Sequence, residues 1–272
     1  LVSTLNNPFF VDLRDGAQAA AKDLGVDLMV SDAQNDSSTQ QNQAQNAQSQ
    51  GAKAVIINPV DSDAASPAVA PLLSSSLPVI SVDRSVTGED VTSHIASDNV
   101  AGGAQAADEL AKAVGEKGKV IILQGTPGAA STRDRGDGFK KEIKKYSGIE
   151  VVAEQTANFD RAEALDVTTN LMQSNPDVVG IYAENDEMAL GAIQSLGSKA
   201  GADVKIFGFD GTEDGLKAVS NGTMVGTIAQ QPKELGKKAV EAAVKAIKGE
   251  SVEKTESIEV KTVTKGNVAD FQ

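Results

Sequence analysis

VISVDRSVTGEDVTSHIASDN, residues 79–99, is where the chain changes rhythm. The apolar run at 79–83 reads as a strand ending in the charged pair Asp83-Arg84. A turn-rich stretch containing Gly88 then leads into a second short strand, 93–96, instead of a helix. Ser97-Asp98-Asn99 ends that strand ahead of an amphipathic helix over 101–114. Two strands in succession, in a chain that otherwise separates strands by helices, mark a strand that leaves one folding unit and enters another.

The surrounding sequence sets that rule. Strand-like apolar runs at 27–30, 54–57, 79–82, 120–123, 151–153, 178–183, 204–209 and 225–228 have amphipathic stretches between most of them. Such alternation predicts a mainly parallel sheet with helices on both faces. The strands are too many for one compact sheet, so two α/β lobes are expected. A further strand at 1–3 gives way to a helix over 11–24. The Gln- and Asn-rich segment 34–50 resembles a linker, but Asp36 or Ser37 can cap a solvated helix with Ala44 and Ala47 facing inward, and the crossover needs a helix there. Pro67 and Pro71 shorten or kink the next helix. After a long helix over 233–248, residues 258–263 alternate as a strand that could cross back.

Composition narrows the function. The chain has 272 residues, 40% of them hydrophobic, which is enough for two cores. A net charge of -13 argues against nucleic acid, whose phosphates demand clustered Lys and Arg. With no cysteine and a single histidine, His94, thiolate chemistry and multi-histidine metal sites are excluded. No apolar run is long enough to span a membrane. The sequence starts at Leu1 with no signal segment, which reads as processing or trimming and leaves export open.

Polar residues recur at strand ends. In STLNNPFF (3–10), Asn7 offers an amide, and Phe9 and Phe10 offer flat apolar faces, at a strand-to-helix junction. Asn58, the pair Asp83-Arg84, Asn185-Asp186, Asp210 and Gln230 also end strands. Strand carboxyl ends of an open α/β sheet face one crevice, so convergence accounts for the whole set better than independent helix caps do. Taken singly, each is open to the capping reading, and Thr212 has the sequence context of a cap. Arginine is scarce beside lysine, yet Arg84 follows a strand end and Arg133 and Arg135 lie in STRDRGDGF. A planar fork of donors suits vicinal hydroxyls. Arg133 reads as a surface partner of Asp134 or Asp137, and Arg135 then takes the inward role. Phe159, in a loop before a helix, either staples that helix or faces a cleft. The combined chemistry, polar at the rim and apolar on the faces, suits a sugar.

Enzyme patterns are missing. GTPGAASTRDRG lacks the Lys-Ser/Thr ending of a phosphate-binding loop, no GxGxxG follows the first strand, and there is no GxSxG elbow. His94 sits in a strand as a structural imidazole. Asp83 and Asp210 could pose as a glycosidase pair, but their arginine and amide company keeps both ionised and suits ground-state hydrogen bonding. No catalytic residue, cofactor or metal is expected.

STLNNPFF, INPVDSDA, VDR, HIASDN, RDRG, FDR, NDEMALGA, GFDGTEDG and IAQQP, in this order over nearly the whole chain, resemble the ribose-binding branch of the type I periplasmic binding protein family. The resemblance implies an α/β fold of two Rossmann-like lobes with parallel, helix-flanked sheets, joined by three hinge crossovers near Ser97-Asp98, Gln230-Gln231 and Glu259-Val260. The lobes would comprise residues 1–97 plus 231–259 and 98–230 plus 260–272, with the ligand cleft between them. It places the sugar contacts on Asn7, Phe9, Phe10, Asn58, Asp83, Arg84, Arg135, Phe159, Asn185, Asp210 and Gln230, leaving Arg133 outside. The implied function is capture of D-ribose by hinge closure and delivery to the membrane permease and ATPase subunits of an ABC importer, with a chemoreceptor as a further candidate partner. The expected protein is a monomer, extracytoplasmic in the periplasm or lipid-anchored at a Gram-positive surface. The alternatives are a family member for allose, another pentose or a signalling furanone, and the effector domain of a LacI-type repressor.

Overall fold

A computed structural model describes residues 1–272. The chain begins α1 (Pro8–Leu24), α2 (Ser37–Ser49), β1 (Val55–Ile57), α3 (Ser66–Ser74), β2 (Val79–Val82) and β3 (Ser93–Ser97). It continues α4 (Asn99–Ala113), β4 (Lys117–Gln124), α5 (Ala130–Ile143), β5 (Gly148–Thr156), α6 (Arg161–Ser174) and β6 (Val178–Ala183). Then follow α7 (Asp186–Leu196), β7 (Lys205–Asp210), α8 (Glu213–Asn221), β8 (Gly226–Ala229), α9 (Pro232–Ile247), β9 (Thr255–Ile258) and β10 (Lys261–Thr264).

These elements form two compact units. Unit 1 contains Leu1–Ser97, Gly128–Ala130 and Gln231–Glu259. Its sheet has the order β1-β2-β3-β9, and every pairing is parallel. Both faces are covered, as an all-parallel sheet requires. Phe9, Phe10 and Leu13 of α1 and Leu235, Ala239 and Ala243 of α9 pack with Ile80, Val82 and Ile95, while Ala44 of α2 and Val69 and Leu72 of α3 pack with Val55, Ile57 and Val79.

Unit 2 contains Asp98–Pro127, Ser131–Gln230 and Val260–Gln272. Its sheet runs β10-β8-β7-β6-β4-β5, parallel except for β10, which lies antiparallel to β8 at the edge. Period-two alternation sorts the side chains of β4: Ile121 and Leu123 join one core with α6, α7 and α8, and Val120 and Ile122 join the other with α4 and α5. In that second core the Phe139 and Tyr182 rings stack, their centroids 4.2 Å apart.

The doubly covered parallel fold agrees with the sequence pattern, and two local expectations need correction. Residues 27–30 form no strand, and the opening strand is reduced to an isolated bridge between Val2 and Asp32. Backbone bonds Val2 N to Ser31 O and Ala33 N to Val2 O hold the two extended segments, but the paired run is too short for a ladder, and Met29 and Val30 are exposed. The tail strand expected to cross back at 258–263 parts at Glu259-Val260 into β9 and β10, which pair in different sheets. The Gln-rich segment is the helix α2, capped by Asp36, with Ala44 fully buried and Ala47 at the rim of the core. Pro67 starts α3 and Pro71 lies inside this nine-residue helix.

Candidate functional site

In unit 1 the strand-end residues form one hydrogen-bonded group. Asn58, just after β1, is buried, its Oδ1 accepting from Ser3 N at 3.1 Å and its Nδ2 donating to Asp83 Oδ2 at 3.1 Å. Gln40 of α2, which the sequence reading did not single out, locks the Asn58 loop. Its Nε2 donates to Asn58 O at 2.9 Å and its Oε1 accepts from Val60 N at 3.0 Å. Asp83, after β2, has φ +65°, a left-handed conformation that costs a non-glycine residue of the order of 1 kcal/mol and turns the chain away from the sheet. Arg84 is buried, with Nη1 donating to Pro59 O and Val60 O at 3.0 Å each and Nε 3.7 Å from Asp83 Oδ2. Its guanidinium carbon lies 5.3 Å from the Phe10 ring centroid. Asn7 caps α1 through Oδ1, which accepts from Phe9 N at 2.9 Å, leaving its amide nitrogen on the donor side. Phe9 and Phe10 meet edge to face and are each only 4% exposed, so most of their surface serves the core.

Unit 2 repeats this chemistry with other residues. Arg135 of α5 is buried; Nε donates to Asn99 Oδ1 at 2.8 Å, and Nη1 donates to Glu184 O at 2.7 Å and lies 3.6 Å from Asp210 Oδ1. Its guanidinium stands 3.9 Å from the Phe209 ring centroid and 5.8 Å from that of Phe159. Asp210 ends β7 at φ +121°, and Gln230 Nε2 donates to its Oδ1 at 2.7 Å. Phe159 also has a positive φ, +59°, and its ring lies against Gly125, where a Cβ has no room. Asn185 caps α7 through Oδ1 and reaches Phe159 O through Nδ2 at 3.4 Å. Arg133 points outward to Asp134 at 3.3 Å, half exposed.

Asn99 and Glu184 were also given no site role from the sequence. Asn99 lay in HIASDN, read as the close of a strand and as one of the motifs of the resemblance but not as a site residue, and it is the group that aims Arg135. Glu184, fully buried, accepts from Gly125 N through Oε2 at 2.7 Å, and desolvation pushes its pKa up to about 8 despite that bond. Asp186, two residues on in the sequence, turns inward. Its carboxylate accepts from Thr212 N, Thr212 Oγ1 and Thr227 Oγ1, and burial still raises its pKa to about 6. Thr212 thus caps α8 while bonded to Asp186. No group of His, Cys, Asp and Glu side chains is placed to hold a metal ion.

Each unit therefore carries a buried Asp–Arg pair with an amide and an aromatic ring beside it. A family model described as the periplasmic binding protein domain matches residues 1–251. The chain belongs to the periplasmic binding protein family. It is 47% identical over 265 residues to the ribose import binding protein RbsB of Escherichia coli (strain K12), covering 97% of this chain and 89% of that one. To its counterpart of the same name in Bacillus subtilis (strain 168) it is 44% identical over 263 residues, covering 97% and 85%. The crystal structure of a Caulobacter myo-inositol binding protein bound to myo-inositol superposes with a TM-score of 0.94 at 36% identity, covering 99% of this chain and 93% of the other. As a periplasmic binding protein it has no helix long and apolar enough to cross a membrane.

Proposed function

We propose that this protein is the D-ribose-binding component of an ABC importer, acting outside the cytoplasm and handing its sugar to membrane permease and ATPase subunits without chemical change. The observation that carries the reading is the matched pair of half-sites: Asp83 with Arg84 on unit 1 and Asp210 with Arg135 on unit 2, each buried and each close to charge-neutral. A hydroxyl donates and accepts at once, so adjacent carboxylate and guanidinium groups suit a neutral polyol better than a charged ligand. Asn7, Asn58, Asn185 and Gln230 add amides, and Phe9, Phe10 and Phe159 add apolar faces. Relatives named ribose import binding proteins, 44% and 47% identical over almost the whole chain, support ribose as the sugar. A ligand that engages both half-sites favours whichever arrangement of the units lets both reach it, which makes capture a population shift.

Calorimetric titration with D-ribose, D-allose, D-arabinose and myo-inositol tests the reading. Ribose is expected to bind tightest. Each charge-assisted hydrogen bond contributes about 1.5–3 kcal/mol, so Asp210→Asn or Arg135→Ala is expected to weaken binding by more than about tenfold. Unchanged ribose affinity in either variant, with folding verified by thermal denaturation, rejects the site; no ribose binding by the unmutated protein rejects the sugar.

A further inference from the structure

Glu184 occupies an unusual place beneath the unit 2 half-site. Its main-chain oxygen receives Arg135 Nη1, and its Oε2 receives the amide of Gly125, the residue on which the Phe159 ring rests. Its Oε1 is buried against the bare Cα of Gly136 and makes no hydrogen bond. A carboxylate with a single hydrogen bond and no exposure is costly unless a cation compensates it. The cation that acts on it most strongly is Arg135, whose donors go to Asn99 and to the Glu184 backbone and whose charge is shared with Asp210. The other charged or titratable groups facing Glu184 are Lys140 on α5, Glu154 on β5 and Tyr182 on β6, with Asp210 on β7 next to Tyr182. Lys140 is drawn off to Glu154 at 3.3 Å, and Tyr182 is itself buried.

We propose that Glu184 is a positioning residue, held as the neutral acid, that sets Arg135 and the Phe159 loop for the sugar and whose ionisation weakens sugar binding under alkaline conditions. This deepens the ribose reading and rests on it. Once ionised, Glu184 competes with Asp210 for the Arg135 guanidinium and tightens on Gly125, so both the charged contact and the ring support move. The raised pKa, about 8, agrees with the geometry and sets the range in which the effect falls.

Two measurements on the full chain separate this inference from the ribose reading. In the sugar-free protein, carbon NMR of the Glu184 carboxyl is expected to titrate on the alkaline side of neutrality, with Gly125 N, Arg135 Nε and the Phe159 ring shifting at the same midpoint and staying flat in Glu184→Gln. A midpoint at the ordinary carboxylate value, about 4.3, overturns the proposal whether or not ribose binds. Calorimetry is expected to show ribose affinity at least about threefold weaker near pH 9.5 than near pH 7 in the unmutated protein, and within about twofold in Glu184→Gln, since one pKa unit corresponds to a tenfold change in equilibrium. Identical pH profiles for the two proteins overturn the inference, while a coupled NMR titration without ribose binding leaves Glu184 as the positioning residue and removes ribose as the ligand.

Discussion

Ionisable groups that lose water on folding tie stability to pH, and Glu184 does so in a definite direction. Its native pKa lies near 8, above the usual value of a glutamate, so the folded state holds this proton more tightly than the unfolded chain. The contribution is fully present below the unfolded pKa, about 4.3, and is lost at about 1.4 kcal/mol per pH unit as pH rises towards the folded value. Glu184→Gln carries no such dependence. Its melting temperature relative to the unmutated protein is therefore expected to improve steadily between pH 5 and pH 8 in thermal denaturation, and a gap constant across that range rejects a buried neutral acid. This residue also shows what a sequence hides. Charge at a strand end can be read from AEND, but which of Glu184, Asn185 and Asp186 faces the sheet interior depends on how β6 hands over to α7. Arg133 and Arg135 differ for a reason the sequence does carry, because residues two apart on a helix point to different sides.

Close helix approach has its own signature in α4 and α5. Gly103 of α4 lies against the Arg135 carbonyl so tightly that a Cβ has no room. This contact brings Asn99, at the start of α4, within 2.8 Å of Arg135 Nε. Replacing a mid-helix glycine by alanine ordinarily stabilises by about 0.5–1 kcal/mol, whereas overpacking costs about 1–3 kcal/mol. Gly103→Ala is thus expected to lower the melting temperature by a few degrees and to weaken ribose binding, and a melting temperature at or above that of the unmutated protein rejects the crossing as the device that aims Arg135. The βα rhythm of the elements was readable because hydrophobic period and turn residues agree along most of the chain. It failed at 27–30, where the apolar residues Leu28, Met29 and Val30 imitate a strand although Met29 and Val30 are exposed and the segment is bonded only at its end, through Ser31 and Ala33. Long-range pairing decides such a segment, and local pattern does not report it.

Neither unit is made from one continuous stretch of chain. Unit 1 needs α9, whose Leu235 and Ala239 share a core with Phe9, Phe10 and Ile95, and it needs β9 beside β3. Unit 2 needs β10, whose Val263 is fully buried and whose pairing covers the open edge of β8. The alternation of TESIEVKTVT runs unbroken through Glu259 and Val260, so the pattern marks an extended chain able to cross back, and it is the family resemblance that puts the crossing point at Glu259-Val260. Only the partners β3 and β8 assign the two halves. A chain ending at Gln230 therefore lacks a core helix and a strand in one unit and an edge strand in the other. Removing α9 strips a whole apolar face from α1 and the unit 1 sheet, a loss far larger than the few kcal/mol by which a domain is stable. Urea denaturation followed by circular dichroism is expected to give a broad, non-cooperative change for that truncated chain, against a cooperative transition for the full one. A sharp transition retained by the truncated chain contradicts the dependence of unit 1 on α9 and β9, because unit 1 would then have to fold around an exposed α1 face bearing Phe9, Phe10 and Leu13.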